Sequence, residues 1–203
     1  MKRIDAIVAA AIGEAVAIYF CYILGQSSGG LIPESFLRWR WLLPVAFPLL
    51  AAFCLQIAFL IGKKIPAIYQ LAKFLLVGAL AAILDLGILN VFINLSEAAS
   101  GAGFNIAKGL SFAIATSLKY FPDKFWAFKN KNRQNLKNEF GKFFAITSAG
   151  LGLNIFIADI VVNRIGPQWG VALGLWANLG GIAAIMAVFI FNFFGYKFLV
   201  FKK

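Results

Sequence analysis

Asp85 and Asp159 each interrupt a long apolar run. A charged residue at the centre of a membrane helix costs roughly 2.5–3.5 kcal/mol on insertion scales, so a carboxylate retained there marks a functional site with a partner nearby. It could carry a proton or hydrogen-bond a polar cargo. The structural alternative is a protonated or hydrogen-bonded Asp that holds two helices together. Asp85 falls near the middle of its run, Asp159 nearer the outer end of its own, and Glu14 occupies a third run. Lys119 comes before its polar loop begins, where a cation could meet a phosphate or snorkel to headgroups. What is missing bounds the chemistry further. The chain has no His, no cluster of ligating residues at metal spacing, and no nucleophile paired with a base. The expectation is a protein without a cofactor or metal, and not an enzyme.

The elements that must position these residues are membrane helices. Of the 203 residues, 62% are hydrophobic and only 13% charged. A soluble domain is nearer half apolar and a quarter charged. Six runs approach the roughly 20 apolar residues that cross a bilayer: Ile4 to Leu24, Trp41 to Ile61, Leu71 to Leu95, Phe104 to Phe121, Phe140 to Val162 and Val171 to Phe194. Lys2-Arg3 before an apolar run resembles a signal peptide, but Asp5 and Glu14 interrupt it and no Ala-x-Ala follows, so it reads as a retained helix. Cys21 and Cys54 lie inside apolar runs and do not suggest a disulfide framework. The net charge is +11, and 15 of the 19 Lys and Arg fall on the side that carries the N-terminus. That bias predicts a multi-pass protein of the cytoplasmic membrane with both termini cytoplasmic, and it accounts for the charge without nucleic acid. No connection is long enough for a separate soluble domain.

The chain also repeats itself. Lys124-Phe125-Trp126-Ala127-Phe128-Lys129 corresponds to Lys197-Phe198-Leu199-Val200-Phe201-Lys202. Upstream, Lys73-Phe74 opens one span and Lys142-Phe143 another. Counting twelve from each Lys gives Asp85 and Asn154; five further gives Asn90 and Asp159. Asn105 then matches Asn178, and Lys119 matches Asn192. A fixed offset of this kind is the mark of an internal duplication. The reading is all-α, with six transmembrane helices, the last four forming two parallel two-helix repeats at about 70–131 and 139–203. Residues 1–69 form an added hairpin. Repeated transporters place substrate where the repeats meet. Thr147, Gly150 and Asn154 share one helical face, which suits either close packing or a polar groove. Basic and aromatic residues from Lys124 to Lys142 suit a topology signal, or a surface for anionic headgroups and lipid-linked phosphate.

Lys73-Phe74-Leu75-Leu76-Val77-Gly78, the mid-helix Asp85 and the twice-repeated Phe-x-x-Lys-Phe-x-x-Phe ending resemble the GtrA-like family of small membrane proteins, over about residues 70–203. The endings in that family usually read Asn-Phe-x-x-x-Arg/Lys-Phe/Trp-x-Phe. The second copy, from Asn192, fits; the first has Lys119 where Asn is expected. The resemblance implies translocation of a polyprenyl-phosphate-linked monosaccharide for glycosylation of cell-surface polysaccharide. On that reading Lys119, Lys124 and Lys197 meet the phosphate. Asp85, Asn90, Asn105, Asn154, Asp159, Asn178 and Asn192 line a polar groove. Partners would be membrane lipids, the polyprenyl-phosphate sugar, a membrane glycosyltransferase and a second copy of the chain. Two other classes are weighed: a non-transporting partner of a glycosyltransferase, and a small proton-coupled exporter using Asp85.

Overall fold

The computed structural model describes residues 1–26, 38–96, 101–132, 134–168 and 173–201. Among them the protein is all-helical. Six long α-helices lie among the described residues: α1 (Arg3–Gln26), α2 (Leu43–Gly62), α3 (Pro66–Ser96), α4 (Gly101–Pro122), α5 (Leu136–Asp159) and α6 (Leu173–Gly195). Five described segments are long and apolar enough to cross a membrane: Arg3–Tyr22, Arg40–Gly62, Pro66–Ser96, Leu136–Ile157 and Ala183–Val200. Large apolar side chains such as Leu49, Phe53, Leu75, Ile155 and Met186 point outward from these helices. In water that surface would be an aggregation hazard, and in lipid it is the expected exterior. The chain is a polytopic all-α membrane protein.

The backbone groups two compact units, Met1–Lys129 and Asn130–Lys203. In the first, α1 packs along α2 and also meets α3, α2 packs on α3, and α3 pairs with α4. Gly13 sets the α1–α2 distance: a Cβ there would stand 2.7 Å from the Phe47 carbonyl oxygen and 2.8 Å from Pro48 Cα. Only a residue without a side chain lets the two backbones touch. In the second unit α5 pairs with α6. Gly150 receives the Asn192 side chain, whose Oδ1 would lie 2.7 Å from an added Cβ, and Gly195 receives Ile146 in the same way, 2.8 Å from its Cγ2.

Both repeated motifs adopt the same uncommon backbone. The segments Asp123–Ala127 and Tyr196–Val200 are π-helical, and they stand 73 residues apart in the chain. Each closes with a bond from residue i to the carbonyl of i−5: Phe128 N–H to Asp123 at 2.9 Å, Phe201 N–H to Tyr196 at 2.7 Å. Each π segment folds back onto the first helix of its pair, on α3 in one unit and α5 in the other. There Phe128 meets the Phe74 ring at 5.9 Å, and Phe201 meets the Phe143 ring at 6.1 Å. A third π segment, Ile160–Ile165, continues α5.

Candidate functional site

A buried polar centre of the first unit forms around Asp5, in the first turn of α1. Asp5 is only 4% exposed. Its carboxylate accepts from Lys73 Nζ at 2.6 Å, Tyr69 Oη at 2.8 Å and Trp126 Nε1 at 2.8 Å. Lys73 is 1% exposed, and its ammonium lies 4.6 Å from the Tyr69 ring and 5.0 Å from the Trp126 ring. A buried ion pair holds only where its remaining hydrogen-bonding positions are filled, and here two neutral donors and two π faces fill them. Three separate elements meet at this one carboxylate: α1, the first turns of α3, and the π segment after α4.

Sequence reasoning treated Asp5 as an interruption and Lys73 as a repeat marker, and did not join them. The pairing spans 68 residues. The available signal was that each charge in an apolar run needs a partner.

The expected phosphate cations are held by the motif itself. Lys119 pairs with Asp123 at 2.8 Å and lies 4.4 Å from the Phe74 ring. This i,i+4 pair answers the departure at Lys119: where the second copy has Asn192 and Tyr196, the first has a cation and its counter-ion. Asp123 is wholly buried, and that burial outweighs the pull of Lys119, pushing its pKa up to about 6. Lys124 has no exposed surface and sits 3.5 Å from the Tyr120 hydroxyl, among the Tyr120 and Phe125 rings. Lys197 repeats that arrangement between Phe193 and Phe198, 5.6 Å from each ring.

The expected groove residues fall in both units. Asp85 accepts from Ser111 Oγ at 2.6 Å, joining α3 to α4. Asn90 hydrogen-bonds the Tyr19 hydroxyl and so faces α1. Asn154 is half-buried on α5. Asn192 is packed on Gly150, with its Oδ1 buried and without a hydrogen-bond partner among the described residues. Thr147, on the same face of α5, bonds the Phe143 carbonyl at 2.9 Å and the Tyr196 hydroxyl. Asp159 stands at the exposed end of α5, bonded to Asn163 at 2.8 Å and to Arg164 at 3.2 Å. The hydrogen bond from Asn163, then that from Arg164, holds its carboxyl below the usual range. Asn105 and Asn178 lie on α4 and α6, outside the described side chains. Among the described residues, no three His, Cys, Asp or Glu come together as a metal site would require.

Beside the Asp5 centre opens a cavity of about 240 Å³. Its wall is formed by the end of α2, the start of α3 and the end of the π segment, and it carries Lys63, Lys73 and Lys129. Lys129 takes a left-handed φ of 52°, which turns the chain sharply at that point.

No curated protein and no solved structure matches the sequence. A family model described as the GtrA/DPMS transmembrane domain matches residues 73–201, from the buried Lys73 to the Phe201 that closes the second π segment. With well over half its length matched, and with both motifs inside the match, the chain belongs to the GtrA/DPMS transmembrane-domain family.

Proposed function

We propose that this protein moves a polyprenyl-phosphate-linked monosaccharide across the cytoplasmic membrane, with both termini cytoplasmic, and performs no chemistry on it. The family is one of membrane proteins that handle polyprenyl-phosphate sugars. The observation that carries the finer reading is the Asp85–Ser111 pair. A carboxylate and a hydroxyl meet part-way along α3 and α4, about 18 Å along α3 from Lys73 at 1.5 Å per residue. Sugar hydroxyls crossing hydrocarbon need partners at that depth, since a polar group buried without one costs several kcal/mol. A single carboxylate that can exchange Ser111 for a sugar hydroxyl offers such a partner.

On this reading the lysine-rich ends receive the phosphate. Lys119 and Lys197 are its proposed contacts, and Lys124 joins them by turning out of its aromatic slot. Asn90, Asn105, Asn154, Asn178, Asn192 and Asp159 are proposed to bond hydroxyls at other depths. The matching π segments, lysine slots and Phe pairs support an origin of residues 70–131 and 139–203 in one duplicated unit. Residues 1–69 are then an added hairpin.

The test uses purified protein in liposomes carrying a fluorescent polyprenyl-phosphate hexose. Wild type should move the outer-leaflet label inward faster than empty liposomes, and Asp85→Ala and Lys119→Ala should slow it. Movement no faster than in empty liposomes, by protein that still melts cooperatively, would refute translocation and leave a non-transporting partner of a membrane glycosyltransferase.

A further inference from the structure

The cavity next to Asp5 is unexplained by anything above. Three lysines converge on it, and one of them is already neutralised: Lys73 belongs to Asp5 at 2.6 Å. Lys63 and Lys129 are exposed and form no ion pair among the described residues. Each lies 5.8 Å from an aromatic ring of the same wall, Lys63 from Phe59 and Lys129 from Tyr69. Both Lys129 and Lys2 stand close enough to Lys73 to repel it. The excess positive charge is therefore concentrated rather than spread along the surface. The wall also contains Pro66, the first residue of a 31-residue helix. Gln70 supplies a neutral donor and acceptor.

The volume narrows the occupant. Pockets that enclose a whole small ligand run to roughly 300–1,000 Å³, and this one, at about 240 Å³, suits a phosphate and part of what it carries. The position narrows it too. The cavity opens where α2 ends and α3 begins, at the level of Lys63, Lys64 and Lys129, which is where the phosphate of a lipid with its tail in the hydrocarbon would sit.

We propose that this cavity binds a phosphate group, with Lys63 and Lys129 as the cations that meet it. Tyr69 and Lys73, both bonded to Asp5, line the cavity beside them. Most of the wall precedes residue 73, so this chain builds the site jointly, with Lys63 from ahead of the matched domain and Lys129 from within it. In assigning the phosphate to a lipid the inference rests on the translocation reading; the phosphate site itself does not.

Titration calorimetry on protein in phosphatidylcholine nanodiscs separates the cases, with geranyl phosphate and inorganic phosphate as the two probes. Binding should weaken roughly fivefold for each lysine removed in Lys63→Gln and Lys129→Gln, from the ~1 kcal/mol a basic residue contributes near a membrane surface. Lys64→Gln, an exposed neighbour outside the wall, should bind as wild type does. Tighter binding of geranyl phosphate than of inorganic phosphate assigns the site to lipid. Equal binding of the two, with the same sensitivity to the variants, supports the site and assigns it to free phosphate. No binding of either probe, or binding indifferent to both substitutions, overturns the proposal. The liposome assay keeps the two readings apart. Movement that persists while binding ignores Lys63 and Lys129 sinks this site alone, whereas lysine-dependent binding without movement sinks translocation alone.

Discussion

Asp5 ties the start of α1 to two other elements. Its donors come from α3 and from the π segment after α4, and none of the three has another acceptor among the described hydrogen bonds. Removing one partner of a buried ion pair typically costs 3–5 kcal/mol, while replacing both with apolar residues is often neutral. Asp5→Leu should therefore lower the melting temperature sharply, and Asp5→Leu with Lys73→Met should recover most of the loss. Additive losses in that double-mutant cycle would show that the two residues act separately. Asp123 gives a second test. Its pKa of about 6 in the folded protein lies above the unfolded value of 3.8, so between those values the native state binds more protons. Stability must then rise as the pH falls from about 6 toward 4 and level off below, and the cost of the buried charge is present in full above 6. Melting curves of wild type should shift upward by several degrees between pH 7.5 and pH 5, relative to Asp123→Asn, which lacks this contribution. A parallel pH dependence in both proteins would refute the assignment. Neither centre was read in the sequence. Lys119 and Asp123 stand at i,i+4, but the expected span ended at Phe121, between them. Asp5 stayed unpaired because apolar periodicity says that a charge needs a partner without saying which helix lies beside it.

At the scale of elements, the repeated motif was visible and its geometry was not. Lys-Phe-x-x-Phe reads as the aromatic end of a membrane helix, and nothing in its composition separates an α turn from a π turn. The π turn accommodates an extra residue per turn, and that rotation carries Phe128 onto Phe74 and Phe201 onto Phe143. Both terminal rings are nearly buried, at 3% and 4% exposure. Phe128→Ala and Phe201→Ala should each cost about 3–5 kcal/mol, measured as comparable drops in thermal stability. A large loss in one and none in the other would deny the motifs an equivalent role. The glycines follow a different logic. Sequence placed Thr147, Gly150 and Asn154 on one face and left open whether that face packs or lines a groove. Gly150 is filled by Asn192, and Thr147 is bonded to Tyr196, so at these two positions the face is a packing surface. At Gly13 the facing atoms are backbone and cannot move aside. Gly13→Ala should destabilise by about 1–3 kcal/mol through overpacking, whereas Ala at Gly152, which no atom approaches within 4 Å, should be nearly silent. Melting of the two variants side by side checks this.

Over the whole molecule, hydropathy made the helical membrane architecture legible, because long apolar runs admit few other structures in lipid. The hairpin pairings followed from the repeat, but the meeting of α1 and α2 with α3 stayed hidden, since lipid-facing and partner-facing residues are equally apolar. That gap matters most for the N-terminal hairpin, which lies outside the matched domain yet supplies the acceptor for Tyr69, Lys73 and Trp126. The hairpin is thus joined to the matched residues by charge, and the sign of one substitution can test this. In the full chain, Lys73→Leu removes the cation from Asp5 and should destabilise by about 3–5 kcal/mol. In a chain beginning at Pro66 the same lysine has lost its carboxylate, and an unpaired ammonium near the start of a membrane helix is unfavourable. There Lys73→Leu should stabilise. Thermal melting of the four proteins in detergent, followed by size-exclusion chromatography, reads both signs. Destabilisation in both backgrounds would mean that Lys73 serves the matched domain through packing alone. The opposite signs predicted here would make the hairpin a charged partner of that domain, one that a residue as ordinary as Asp5 holds in place.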